Sequence, residues 1–232
     1  NSVDMSNSYQ QAYDASMHDP EGFWGAAASE IDWEKPWDKV LDGSRAPFYR
    51  WFVGAETNTC HNAVDRHVAN GRADQAAIIY DSPVSGTKRT ITYAELQDQV
   101  ARLAGALASL GVTKGDRVLL YMPMIPEALV GMLATARLGA IHTVVFGGFA
   151  PNELATRIND AEPKVILSAS CGIEGSRVLP YKPMLDQAID LSSHKPAHTL
   201  IFQRPQAVAE LKDGVDYDWA SFAAAAEPHP CV

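Results

Sequence analysis

From Asn58 onward the chain alternates short apolar runs with longer stretches in which apolar residues recur every three or four positions. Cys60 to Val68 predicts a short helix and Ala76 to Tyr80 an apolar strand. Ser85-Gly86 has the composition of a hairpin turn into a partner strand at Arg89 to Ile91. Thr92-Tyr93-Ala94-Glu95 fits a capping box, a hydroxyl for one unpaired amide and a glutamate three residues on that reaches back. Behind it Leu96, Val100, Leu103, Ala104, Leu107 and Leu110 step by four, three, one, three and three, one stripe at helical period. Gly111 is placed to close that helix, and Lys114-Gly115-Asp116 turns into a strand at Val118 to Tyr121.

The same unit recurs. Pro126 starts a helix through Leu138 with Gly139 beyond it, and Ile141 to Val145 is a β-branched strand without alternation, as expected when both faces are buried. The turn Phe146 to Phe149 leads into a helix from about Pro151 to Asn159, and Lys164 to Ser168 is the next strand. Lys182 to Ile189 reads as helix, Thr199 to Phe202 as a last short strand, and Trp219 to Ala226 as a helix in a looser tail. Strand–helix alternation with short connections predicts an α/β fold, a mostly parallel sheet with helices on both faces. Residues 9 to 60 differ: ten aromatics between Tyr9 and Phe52, interrupted by Pro20, Pro36 and Pro47, predict short helices and loops. They form an aromatic-rich extension, residues 1–57, wrapping a main body of residues 58–232.

Composition narrows the classes. With 47% hydrophobic and 20% charged residues the chain is an ordinary globular one, and its net charge of −9 argues against nucleic acid as a partner. The longest uncharged stretch, Leu138 to Asn152, is shorter than the roughly 18 residues a membrane span needs. Asn1 to Ser8 has no basic or apolar segment of a secretory signal, and Met5 stands where a natural start would, with Asn1–Asp4 as an addition. The three cysteines, Cys60, Cys171 and Cys231, are far apart and contain no Cys-x-x-Cys pair, suggesting neither a zinc site nor a disulfide framework. A reducing, cytoplasmic location is the resulting expectation.

Dinucleotide, P-loop, zinc-protease and nucleophile-elbow motifs are all absent. His194 and His198 have a helical metal-ligand spacing, but Pro196 lies between them, and no metal is expected. His142, inside an apolar strand, reads as a hydrogen-bonded core histidine. Two segments carry candidate chemistry. Phe146-Gly147-Gly148-Phe149 lies at the carboxyl end of a parallel strand, where open α/β sheets bind ligands. It is either a ligand platform or a tight connection with its phenylalanines in the core. Gly172-Ile173-Glu174-Gly175-Ser176-Arg177 is either an anion cradle with Arg177 as its fixed charge or a surface loop.

Taken together, the motifs resemble the amino-terminal part of the AMP-forming acetyl- and propionyl-CoA synthetases. The matching runs are Thr90 to Leu96, Gly111 to Tyr121, Met122 to Glu127, Ala136 to His142 and Val144 to Phe149. Ser168 to Glu174, Tyr181-Lys182-Pro183, Trp37 to Leu41 and Ile201 to Arg204 resemble the propionyl branch. The resemblance implies that residues 58–232 begin a large adenylate-forming domain of a ligase acting on propionate, ATP with Mg2+ and coenzyme A. It places Phe146, Gly147 and Gly148 against coenzyme A, with Arg177 at the nucleotide phosphates. The family's other phosphate arginine falls on Glu174, a reversed charge. The Ser/Thr/Gly-rich loop ending in Pro-Lys-Gly would begin shortly after Val232, so no catalytic residue is assigned. The chain alone is expected to be inactive, to hold no cofactor tightly, and to self-associate through an exposed sheet edge. The alternative is a stand-alone coenzyme A or nucleotide-binding module without catalysis; a third reading is a purely structural domain.

Overall fold

Asp19, whose carboxylate accepts from the Gly22 amide at 3.0 Å, and Pro20 behind it set the start of a helix where the sequence offers few other signals. The structure, a computed structural model, describes the backbone from Met5 to Val232 and side chains from Ser8; the expectations about Asn1–Asp4 lie outside the described residues. Its contacts separate into a first unit ending at Asn58 and a second, Thr59–Val232.

The first unit contains helices α1 (Met5–His18) and α2 (Pro20–Ala28) and two strands, β1 (Lys39–Asp42) and β2 (Arg50–Val53). These strands correct the expectation of helices and loops alone. They pair antiparallel, Leu41 opposite Trp51, and Trp33, Trp37 and Phe52 meet edge-on or tilted with centroids 5.3–5.4 Å apart.

The second unit opens with wide helical turns at His61–Asp65 and Val68–Arg72 rather than the expected plain α-helix. Strands β3 (Ala76–Ser82) and β4 (Thr87–Thr92) form the anticipated hairpin, with Gly86 at φ +64°. The capping box is present in full: the Glu95 amide donates to Thr92 Oγ1 at 3.2 Å, and the Thr92 amide donates to Glu95 Oε2 at 2.7 Å. It starts helix α3 (Tyr93–Ser109), whose stripe from Leu96 to Leu107 is buried.

Five parallel strands follow: β5 (Arg117–Met122), β6 (Ile141–Phe146), β7 (Val165–Ala169), β10 (His198–Phe202) and β11 (Asp216–Asp218). Between and after them come α4 (Pro126–Arg137), α5 (Pro151–Ala161), the hairpin β8 (Cys171–Glu174) and β9 (Arg177–Pro180), α6 (Tyr181–Leu191) and α7 (Trp219–Ala225). Their order in space is β11-β10-β7-β5-β6. Leu120, Leu167 and Leu200 face α3, α4 and α7, while Leu119, Ile166 and Ile201 face α5 and α6. Burying each such side chain contributes about 1.5–3 kcal/mol.

Strand β6 departs from expectation. Among the described residues it pairs with β5 alone and is mostly exposed, Val144 at 58% and Phe146 at 72%. A β-branched run therefore marked an edge here, not a strand buried on both faces, because composition does not reveal which neighbours a strand has. His142 is accordingly exposed rather than in the core. His194 Nε2 lies 2.8 Å from Pro163 O and His198 stacks near Tyr217, so the two histidines share no helix face. Among the described residues, no helix is long and apolar enough to cross a membrane.

Candidate functional site

The chain leaves β5 for α4 on one face of the sheet and leaves β7 for α6 on the other. Crossovers that part in this way open a crevice at the carboxyl ends of the two strands, the usual ligand position in such sheets. Here the turn after β6, Phe146 to Phe149, lies against the end of β5 and beside the β8–β9 hairpin.

The glycines of the turn have separate physical reasons. A Cβ on Gly147 would lie 2.7 Å from both Met122 O and Tyr181 Oη, so only glycine lets the turn fold onto the end of β5. Gly148 has φ +91°, and Glu174 Oε1 would be 3.2 Å from a Cβ there. The turn closes with the Phe149 amide donating to Phe146 O at 3.3 Å. Phe149 is half-buried beneath the Arg157 guanidinium, 4.9 Å from its ring centre, while the Phe146 ring stands in solvent 5.6 Å from that of Phe149. The reading in which both phenylalanines pack in the core is therefore corrected for Phe146.

Two tyrosines support this turn from below. Tyr121 and Tyr181 stack at 4.9 Å, and Tyr121 Oη donates to Phe149 O at 3.0 Å. Burial pushes the Tyr121 phenol up to about 12, and burial followed by the negative charge of Glu174 raises Tyr181. Both phenols thus stay protonated and remain donors at neutral pH. Gly172 is needed because a Cβ there would meet Tyr181 Oη at 2.5 Å.

The segment Gly172 to Arg177 is not a loop but most of the β8–β9 hairpin. Glu174 and Arg177 are cross-strand partners, with Gly175 at φ +59° in the turn between them. Its base is fixed by Arg204, whose amide donates to Ser170 Oγ at 2.8 Å and whose Nη1 donates to Cys171 O at 3.1 Å. The fold thus brings Gly148 against Glu174 and sets Arg177, exposed, across the hairpin from that carboxylate. Tyr121, Tyr181 and Arg157 were missed as parts of the site; their chemistry is local packing, for which the sequence carries no spacing signal.

A second cluster lies elsewhere in the unit. Arg137 donates to both oxygens of Asp65, at 2.7 and 3.0 Å, and Cys60 and Cys231 stand beside that carboxylate. Two cysteines that are far apart in sequence are neighbours in space.

A family model described as AMP-binding enzyme matches residues 65–230. The chain belongs to the AMP-binding enzyme family. Another model, described as acetyl-coenzyme A synthetase N-terminus, matches residues 9–63. The human protein named acyl-CoA synthetase short-chain family member 3, mitochondrial, is 51% identical over 225 residues, 97% of this chain and 33% of that protein. A propionate–CoA ligase of Salmonella typhimurium is 48% identical over 214 residues, 92% of this chain and 34% of the ligase. Among solved structures, an acetoacetyl-CoA synthetase from Streptomyces lividans superposes with a TM-score of 0.83 at 27% identity, over 94% of this chain and 33% of that one. The chain spans about a third of the length of the relatives it matches. Within the AMP-binding enzymes its relatives are acyl-CoA ligases, and the sheet and its helices are those the resemblance implied.

Proposed function

We propose that the chain is the amino-terminal part of a propionate–CoA ligase and carries one wall of its coenzyme A site. In the complete enzyme the propionate carboxylate attacks the α-phosphorus of ATP, with Mg2+ as counter-ion, and pyrophosphate leaves. The coenzyme A sulfur then attacks the acyl carbonyl and AMP leaves. The observation that supports a role for this wall is the Phe146 ring, 72% exposed beside a turn whose Gly147 admits no side chain. Phe146, Gly147 and Gly148 offer an apolar, closely approachable surface to the neutral arm of coenzyme A. Glu174 repels phosphate next to Gly148, and Arg177, its cross-strand partner, is the cation the hairpin offers to the phosphates.

Charge stabilisation for the phosphoryl group is supplied by none of these residues, and the expected result for the 232-residue chain alone is no formation of propionyl-CoA. The test is propionate-dependent ATP–pyrophosphate exchange by this chain extended through its reading frame. Exchange greater with propionate than with acetate is expected. No exchange with any short carboxylate, together with coenzyme A binding weakened by Arg177→Ala, would replace the ligase with a binding module.

The edge of β6 has a consequence for the isolated chain. Val144 and Phe146 share one exposed strand face beside an edge that β5 leaves unpaired, a template for a second copy. Light scattering is expected to show self-association that rises with concentration and is reduced by Val144→Lys. A clean monomer across concentrations would count against it.

A further inference from the structure

The residues Glu227 to Val232 lie in a fixed register across α3 and α4. The His229 amide donates to Ala101 O at 2.9 Å, the Val232 amide donates to Arg137 O at 3.0 Å, and Arg137 Nε donates to His229 O. Gly105 permits the approach, since a Cβ there would lie 1.9 Å from Glu227 O. This register carries Cys231 to Cys60, at the start of the unit's first helical turns.

The Sγ atoms of Cys60 and Cys231 lie 3.9 and 3.6 Å from Asp65 Oδ2, and the two sulfurs and the carboxylate oxygen all fall within 4.8 Å of one another. Arg137 Nη1 donates to Cys60 Sγ at 3.5 Å. Hydrogen bonding from Cys231, and then from Arg137, lowers the Cys60 thiol against the opposing effect of burial; the same pairing raises that of Cys231. The two sulfurs are near enough for one to act as the reacting thiol and the other as its resolving neighbour. A solvent-open cleft of about 390 Å³, lined by Gln97, Arg137, His229 and Pro230, lies beside the residues that hold Asp65; Cys231 is half-buried and Cys60 fully buried. A cation fits less well, because both Asp65 oxygens already accept from the guanidinium, which brings positive charge to the place a metal would take.

We propose that Cys60 and Cys231 are a modification site at which a hydroperoxide installs a reversible disulfide, clamping the segment after α7 to the start of the unit. Cys60 gives up its thiol proton and its sulfur attacks one oxygen of hydrogen peroxide; the O–O bond breaks, and the departing hydroxide takes that proton and leaves as water. The Cys231 thiol loses its proton and attacks the sulfenic sulfur of Cys60; the S–O bond breaks and a second water leaves. Two thiols and one peroxide thus give one disulfide and two waters. A dithiol reductant reverses the step by exchange.

The test is peroxide treatment of the folded chain, followed by thiol counting after denaturation and by peptide mapping. The three thiols are expected to fall to one, Cys171, with a single cross-linked peptide pair holding Cys60 and Cys231. Dithiothreitol restores three, and the oxidised chain melts higher by roughly 10 °C because the closed loop is long. Cys171→Ser keeps the loss of two thiols, and Cys231→Ser, at the half-buried partner, abolishes it. Three thiols persisting under peroxide, a bridge to Cys171 or between chains, or a tightly retained zinc in native mass spectra would each overturn the proposal.

Discussion

Lys182→Met is expected to lower the unfolding free energy of the chain by about 3–5 kcal/mol, the cost of leaving a buried carboxylate without its ion partner. Lys182 is 4% exposed, and its Nζ lies 2.7 Å from both Asp216 Oδ2 and Asp186 Oδ1; the Asp216 side chain is 2% exposed. Asp216 also accepts from Thr199 Oγ1 at 2.6 Å and from the Lys212 amide at 2.8 Å, bonds that join β11 to β10 and to the segment before it, while Lys182 ties Asp216 to α6. Burial alone would raise the Asp216 carboxyl, but hydrogen bonds from Lys182 and Thr199 hold it below its usual range. Burial works against the Lys182 charge, yet Asp186 and Asp216 raise its ammonium above the ordinary lysine range.

The sign of the pH dependence follows. A depressed carboxyl stabilises fully above its unfolded pKa of about 3.9 and loses that contribution as pH falls through the folded value. A raised ammonium stabilises fully below about 10.4 and loses it as pH rises through the folded value. Urea midpoints of parent and variant should therefore differ most at neutral pH and converge in acid. Equal midpoints at neutral pH would show that the pair contributes nothing.

Gly147→Ala in the complete enzyme is expected to slow thioester formation by about 10²-fold while leaving propionate-dependent pyrophosphate exchange near the parent rate. The added methyl meets Met122 O, a backbone atom with no rotamer to change, and Tyr181 Oη, whose ring is held by stacking on Tyr121. The turn has to lift from the end of β5, carrying the Phe146 ring with it. Gly175→Ala is the control: nothing lies within 4 Å of its Cβ position, so it bears only the strain of φ +59° in the hairpin turn. Rate constants for the two half-reactions, measured separately, decide the matter. Equal loss in both would place Gly147 in the scaffold and not at the coenzyme A step.

Where the chain's interactions are local, they were legible. The Thr92–Glu95 box, the stripe from Leu96 to Leu107 and Gly111 beyond it all lie within one helix, and the structure realises each of them. The alternation of strands and helices likewise fixed the α/β class, since each crossover is short. What stayed hidden depends on partners distant in sequence. On β6 Val145 is buried while Val144 and Phe146 are exposed, so the difference lies in which face of the sheet other elements cover, and no property of Ile141 to Phe146 encodes that. The sequence of Gly172 to Arg177 suggests an anion cradle or a surface loop and not a β-hairpin, because it has no clear two-residue alternation; Tyr181 lies against Gly172, and Arg204 bonds the Cys171 carbonyl. The closeness of Cys60 to Cys231 needs Gly105, Ala101 and Arg137 to lay the later segment down, and cysteine spacing alone says nothing of it.

The spatial order β11-β10-β7-β5-β6 also sets a timetable for the ribosome. β5 emerges first, β6 joins it on one side, and β7, β10 and β11 are added outward on the other, each to a neighbour already in place. No strand has to be inserted between two others. At 5–20 residues per second, the growing side remains incomplete for roughly 4–14 s after Phe146 is made. Throughout that interval the β6 edge, with Val144 and Phe146, is already displayed, before β11 has joined the sheet.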